Sequence, residues 1–113
     1  MPNPETIAHP SRDEIELAAV LHALSDPVRL LMARGLAGAI EARTCGSFDV
    51  PVTKSTCTHH FKVLREAGVI RQRQEGTKRV NLLRDDDLEA RFPGLLATIL
   101  QAAEDQPVLI ART

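Results

Sequence analysis

Between Thr53 and Gly68 lies the segment that most restricts what this chain can become: a threonine, fourteen residues free of helix breakers (KSTCTHHFKVLREA), then a glycine. A threonine side chain accepts from the free N–H groups of a first helical turn, and a glycine takes the left-handed conformation that ends a helix. The spacing predicts a helix over 54–67. Its two faces differ. Cys57, Phe61 and Leu64 recur at i, i+4 and i+7 and should pack inward, whereas Ser55, Thr58, His59 and Lys62 fall on the opposite side.

Two short strand-like runs follow at once, 69–74 and 77–83, divided by Glu75-Gly76, where glycine supplies the positive φ of a tight turn. A hairpin is expected there, with Arg71, Arg73, Lys78 and Arg79 gathered around its tip. The net charge of the 113-residue chain is only −1, but it is unevenly spread. Residues 53–80 hold seven basic and two acidic side chains, and the remainder holds seven basic and thirteen acidic ones. One segment therefore carries the electropositive face.

Upstream, residues 1–12 contain three prolines and read as a flexible N-terminal arm. Leu17, Val20, Leu21 and Leu24 then mark one face of a helix over 13–24, with Asp13, Glu14 and Glu16 in its first turn, where the helix dipole favours acids. Ser25-Asp26-Pro27 restarts a second helix whose stripe is Val28, Leu31, Met32 and Leu36, with Gly38 as its stop. Residues 39–52 lack periodicity and are expected to be irregular or to hold one short helical turn. Beyond the hairpin, Asp85, Asp86 and Asp87 offer caps for a short turn, and Phe92-Pro93-Gly94 leads into a last helix to about Ala103 carrying Leu95, Leu96, Ile99 and Leu100.

The composition, 43% hydrophobic and 26% charged, fits one small globular domain, over 13–104, with a tail at 105–113. A chain this short often gains stability by burying an apolar face against a second copy. The start, MPNPETIAHPSRDE, lacks the features of an export signal, no apolar run is long enough for a membrane span, and the two cysteines, Cys45 and Cys57, are too few for a disulfide framework. A cytoplasmic location with no membrane contact is the expectation. No glycine-rich phosphate loop, C-x-x-C pair, H-E-x-x-H or nucleophile elbow occurs, so no enzymatic activity is expected.

A capped helix with hydroxyls, an imidazole and a lysine on its outer face suits the major groove of duplex DNA, and long cations on the hairpin suit the phosphate backbone. With this, the chain resembles the ArsR/SmtB family of bacterial winged-helix repressors, over about residues 18–100. The resemblance rests on LHALSDPVRLLMARGLA, KSTCTHHFKVLREAGVI and RQRQEGTKRVNLL. It implies a mainly α fold with a β-hairpin wing, a winged helix-turn-helix of about five helices, forming a homodimer through its first and last helices. It also implies DNA contacts from Lys54, Ser55, Thr58, His59 and Lys62, with Thr56 a weaker candidate, on an imperfect palindromic operator.

The chain departs from the metal-sensing patterns of that family. The segment TCGSFDV holds one cysteine, Cys45, where closely spaced pairs are usual, and residues 94–106 contain neither histidine nor cysteine. A single thiolate cannot supply a closed soft-metal site. No metal-ligand set is assigned, and a divalent metal as effector would need ligands outside the family's positions, such as an oxygen and nitrogen set of His9, His22 and Asp13 meeting across a dimer. Cys57 reads as a small core hydrophobe and His60 as a residue packed against a neighbouring helix. The competing functions are a winged-helix protein-interaction module and a redox-responsive regulator using Cys45.

Overall fold

A computed structural model of the chain describes residues 7–37 and 53–105. A 3-10 turn, Arg12–Glu14, precedes α1 (Leu17–Leu24) and α2 (Pro27–Ala37), which are followed by α3 (Lys54–Glu66). An antiparallel hairpin of β1 (Ile70–Glu75) and β2 (Lys78–Leu83) leads into α4 (Asp85–Arg91) and α5 (Leu95–Asp105). Five α-helices and one two-stranded sheet among the described residues match the expected fold class. The stop at Gly38, the irregular stretch 39–52 and Cys45 lie outside the described residues, as do residues 1–6 of the arm and most of the tail.

The first helix starts later than its pattern suggested. Ile15 (φ −71°, ψ 123°) and Glu16 (φ −107°, ψ 139°) are extended, so Asp13 and Glu14 belong to the 3-10 turn and α1 begins at Leu17. Burial is the reason. Ile15 is 1% exposed and its side chain lies directly against the backbone of Gly68, a position that a side chain on a continuous helix from Asp13 would leave. The apolar stripe of α1 also divides: Val20 and Leu24 enter the core, whereas Leu17 and Leu21 are each 45% exposed.

The caps follow local chemistry. Asp26 Oδ2 accepts from the N–H groups of Val28 (2.9 Å) and Arg29 (3.1 Å), opening α2 with Pro27 as its first residue. Thr53 Oγ1 accepts from the Thr56 N–H at 3.2 Å to open α3, and Gly68, at φ +86°, turns the chain out of it. The three aspartates 85–87 are not caps of a short turn. They form the first turn of a seven-residue helix whose N-cap is Arg84, where acids meet the positive end of the helix dipole.

Val20 and Leu24 of α1, Met32 and Leu36 of α2, Phe61 and Leu64 of α3, Val69, Ile70, Leu88 and Leu96 make one core. The arm is tied to it from His9 on. His9 Nε2 accepts from the Gln72 N–H of β1 at 2.9 Å, the Pro10 carbonyl accepts from Arg84 at 2.7 Å, and Arg12 pairs with Asp87 at 2.8 Å. Burial holds the pKa of His9 below the usual histidine value, in keeping with an unprotonated ring that accepts a hydrogen bond.

Candidate nucleic-acid interface

Because α3 buries Cys57, His60, Phe61 and Leu64, its opposite side must face water. Lys54, Ser55, Thr56, Thr58, His59 and Lys62 are all exposed there. All three hydroxyls already have intramolecular partners: Ser55 Oγ lies 3.3 Å from Thr53 Oγ1, Thr58 Oγ1 donates to the Lys54 carbonyl at 2.9 Å, and Thr56 Oγ1 accepts from Thr53 Oγ1 at 2.9 Å. Lys62 Nζ lies 3.9 Å from Glu66, an exposed pair of little energetic weight that a phosphate can displace.

The cations of the hairpin do not form one cluster. Register pairs Arg71 with Leu82, Arg73 with Val80, Gln74 with Arg79 and Glu75 with Lys78, so Arg71, Arg73 and Lys78 share one face and Arg79 stands on the other. Arg71 leans to Asp87 of α4 at 3.8 Å, and Arg73 bonds Glu75 at 2.8 Å. All four are exposed, and Lys78 and Arg79 sit nearest the turn at Gly76.

Three polar links that hold this surface in shape are marked by no motif in the sequence. Arg65, on α3, donates to Gln72 Oε1 of β1 at 2.8 Å, and Gln72 Nε2 donates to Asn81 Oδ1 of β2 at 2.8 Å, which locks the hairpin to the helix. Arg29 of α2 bonds His60 of α3, and Asp87 collects Arg12 and Arg84. Their signal was the presence of polar residues at positions alternating with Ile70 and Leu83, or beside buried apolar ones, where a solvated face would not place them.

Cys57 requires a correction. It is 3% exposed, in keeping with a core position, but it is disulfide-bonded rather than a free thiol. Burial pattern alone cannot report a bond whose formation depends on where the second sulfur lies. Among the described residues no group of three or more His, Cys, Asp or Glu side chains is arranged to hold a metal ion.

A helix with an exposed polar row, backed by a preceding helix and flanked by a cationic hairpin, defines a winged helix-turn-helix. The fold is similar to that of the transcriptional repressor BigR from Xylella fastidiosa, with a TM-score of 0.60 and 23% identity over 85% of this chain and 88% of that one. In sequence, the chain is 35% identical over 91 residues to YceK of Bacillus subtilis (strain 168), an uncharacterized HTH-type transcriptional regulator, covering 79% of this chain and 90% of the relative. It is 31% identical over 70 residues to another uncharacterized HTH-type transcriptional regulator, MJ1325 of Methanocaldococcus jannaschii, covering 61% of this chain and 79% of that relative. No family model matches the chain. The chain belongs to the HTH-type transcriptional regulators, a class of DNA-binding regulators and not of enzymes.

Proposed function

We propose that this regulator is a homodimeric repressor of the ArsR/SmtB type, in which α3 reads base edges in the major groove of an imperfect palindrome while the wing grips the backbone. The observation that carries this reading is the exposed row Lys54, Ser55, Thr58, His59 and Lys62 on a helix whose other face is fixed in the core. Leu17 and Leu21, exposed on α1, with the half-buried Leu95, Ile99 and Leu100 of α5, supply apolar surface for a second copy. Two copies would set their α3 helices about 34 Å apart, one turn of duplex. A cytoplasmic site of action fits this reading, and no helix among the described residues is long and apolar enough to cross a membrane.

The roles of helix and wing are separable. Ser55→Ala and His59→Ala are expected to change which base pairs are preferred, by about 1–3 kcal/mol at the position affected. Lys78→Ala and Arg79→Ala are expected to weaken binding to every sequence alike and to lower the salt slope by roughly one unit each. Binding profiles over a library of operator variants measure both. Identical shifts in base preference from the two groups would remove the assignment of roles, and a regulator that binds no duplex would instead be a protein-interaction module.

The disulfide at Cys57 favours a second reading, in which the same regulator responds to redox state. A thiol reductant splits the disulfide into two thiols and is itself oxidised, which frees a buried residue on the inner face of α3. Operator affinity of the wild type is expected to differ with and without dithiothreitol, while Cys57→Ser is expected to be indifferent to it. Equal affinity of the wild type in both conditions would end this reading.

A further inference from the structure

His60 and Arg29 form a buried polar joint between α3 and α2. The two are 9% and 8% exposed, and Arg29 Nη1 lies 3.2 Å from His60 Nδ1. A guanidinium only donates and stays charged throughout the physiological range, so Nδ1 must present its lone pair and the ring proton sits on Nε2. Arg29 is itself immobilised. Its Nε donates to the Ala23 carbonyl at 2.7 Å, its Nη2 to the His22 carbonyl at 3.4 Å, and its backbone N–H to Asp26 Oδ2. One side chain thus ties the last turn of α1 and the first turn of α2 to the middle of α3.

The charged groups around His60 come from two elements. Asp26, at the cap of α2, places Oδ2 at 4.0 Å from Nε2, and Arg29 faces Nδ1; on α3 itself the His59 ring centre is 6.0 Å away. Burial is the largest influence on His60, with Asp26 acting against it and Arg29 and His59 with it, so its pKa lies below the usual histidine value. Protonation would point an N–H at the guanidinium and set two cations together in a dry contact. Asp26 opposes this cost through its charge but forms no hydrogen bond to the ring, because 4.0 Å is beyond hydrogen-bond reach and its Oδ2 already accepts two backbone N–H groups, and it faces Nε2 rather than the Nδ1 contact. Relief requires the ring to move, and with it the helix that carries it.

We propose that the Arg29–His60 contact is the positioning joint of the recognition helix, and that it makes DNA binding depend on an unprotonated His60, so that affinity falls on acidification. This rests on the reading of α3 as the DNA-contacting helix. His59, exposed on the same helix, belongs to the DNA-contacting row, so both proteins compared retain it.

The test is the operator affinity of wild type and of His60→Asn, by fluorescence anisotropy at about pH 7.5 and about pH 5.5. Asparagine keeps an acceptor oxygen where Nδ1 stood and does not titrate. The protein retaining His60 is expected to lose about tenfold in affinity at the lower pH, and the His60→Asn protein to lose little. The same pH dependence in both, or none in either, would overturn the joint while leaving α3 as the reading helix. Absence of operator binding by wild type at every pH would overturn the reading of α3 itself, and this proposal with it. Long-range proton–nitrogen NMR of the wild-type imidazoles decides the matter even where His60→Asn does not fold: an unprotonated Nδ1 at about pH 7.5 is expected, and a protonated Nδ1 there overturns the proposal.

Discussion

Gly68→Ala is expected to destabilise the protein by about 3 kcal/mol, a large share of the stability of a domain this size. Two costs combine. Gly68 has φ +86°, a region an L-residue occupies at a cost of about 1–2 kcal/mol. A Cβ there would also stand 2.5 Å from Cγ1 and 2.8 Å from Cδ1 of Ile15, and Ile15 is 1% exposed, so it has no open space to move into. Gly76 serves as the internal control. It too has positive φ, at +61°, but a Cβ there meets nothing within 4 Å, so Gly76→Ala should cost only about 1 kcal/mol. Urea unfolding of the two variants measures the difference, and equal losses would mean that Ile15 does not fill the space beneath Gly68.

The second large effect is expected at Asp87. Its carboxylate accepts from Arg12 and from Arg84, each at 2.8 Å, with Arg71 3.8 Å away. The Arg84 side chain is only 4% exposed, so Asp87→Ala leaves a buried guanidinium with the Pro10 carbonyl as its remaining partner in this cluster. A loss of about 2 kcal/mol is expected, against about 0.5 kcal/mol or less for the exposed neighbour in Asp86→Ala. Acid should reveal the same contact. The bonds from Arg12, then Arg84, hold the Asp87 carboxyl below its ordinary value of 3.8, so the unfolded chain takes up the proton first as pH falls. The stabilisation is complete above about pH 4 and disappears as pH drops through the lower folded value. Chemical denaturation across that range should show a shallower acid loss in Asp87→Asn than in wild type, and parallel curves would exclude Asp87 as the source.

These two sites also mark where the sequence was legible and where it was not. The boundaries of α3 and the turn at Gly76 were readable because Thr53, Gly68 and Gly76 act through local backbone chemistry, and local chemistry is written in neighbouring residues. Asp26 and Pro27 opened α2 for the same reason. Ile15 misled because its fate depends on a contact with a residue far along the chain, which pulled it out of the helix its acidic neighbours suggested. Asp87 was misread as a cap because its arginine partners, Arg12 and Arg84, meet it only after folding. The exposed row on α3 followed from its helical period, and the structure exposes each residue named there. The division of the wing cations between two faces required the register, which the sequence alone left open by one residue at the turn.

The central claim is that α3 and the wing bind duplex DNA, and a fluorescence-anisotropy titration of duplex from upstream of the protein's own gene, repeated at rising salt, tests it most directly. Saturable binding by two chains per duplex is predicted, with affinity falling at least tenfold between about 50 mM and about 200 mM salt as phosphate contacts release counterions. Absence of binding, or binding indifferent to salt, would contradict it.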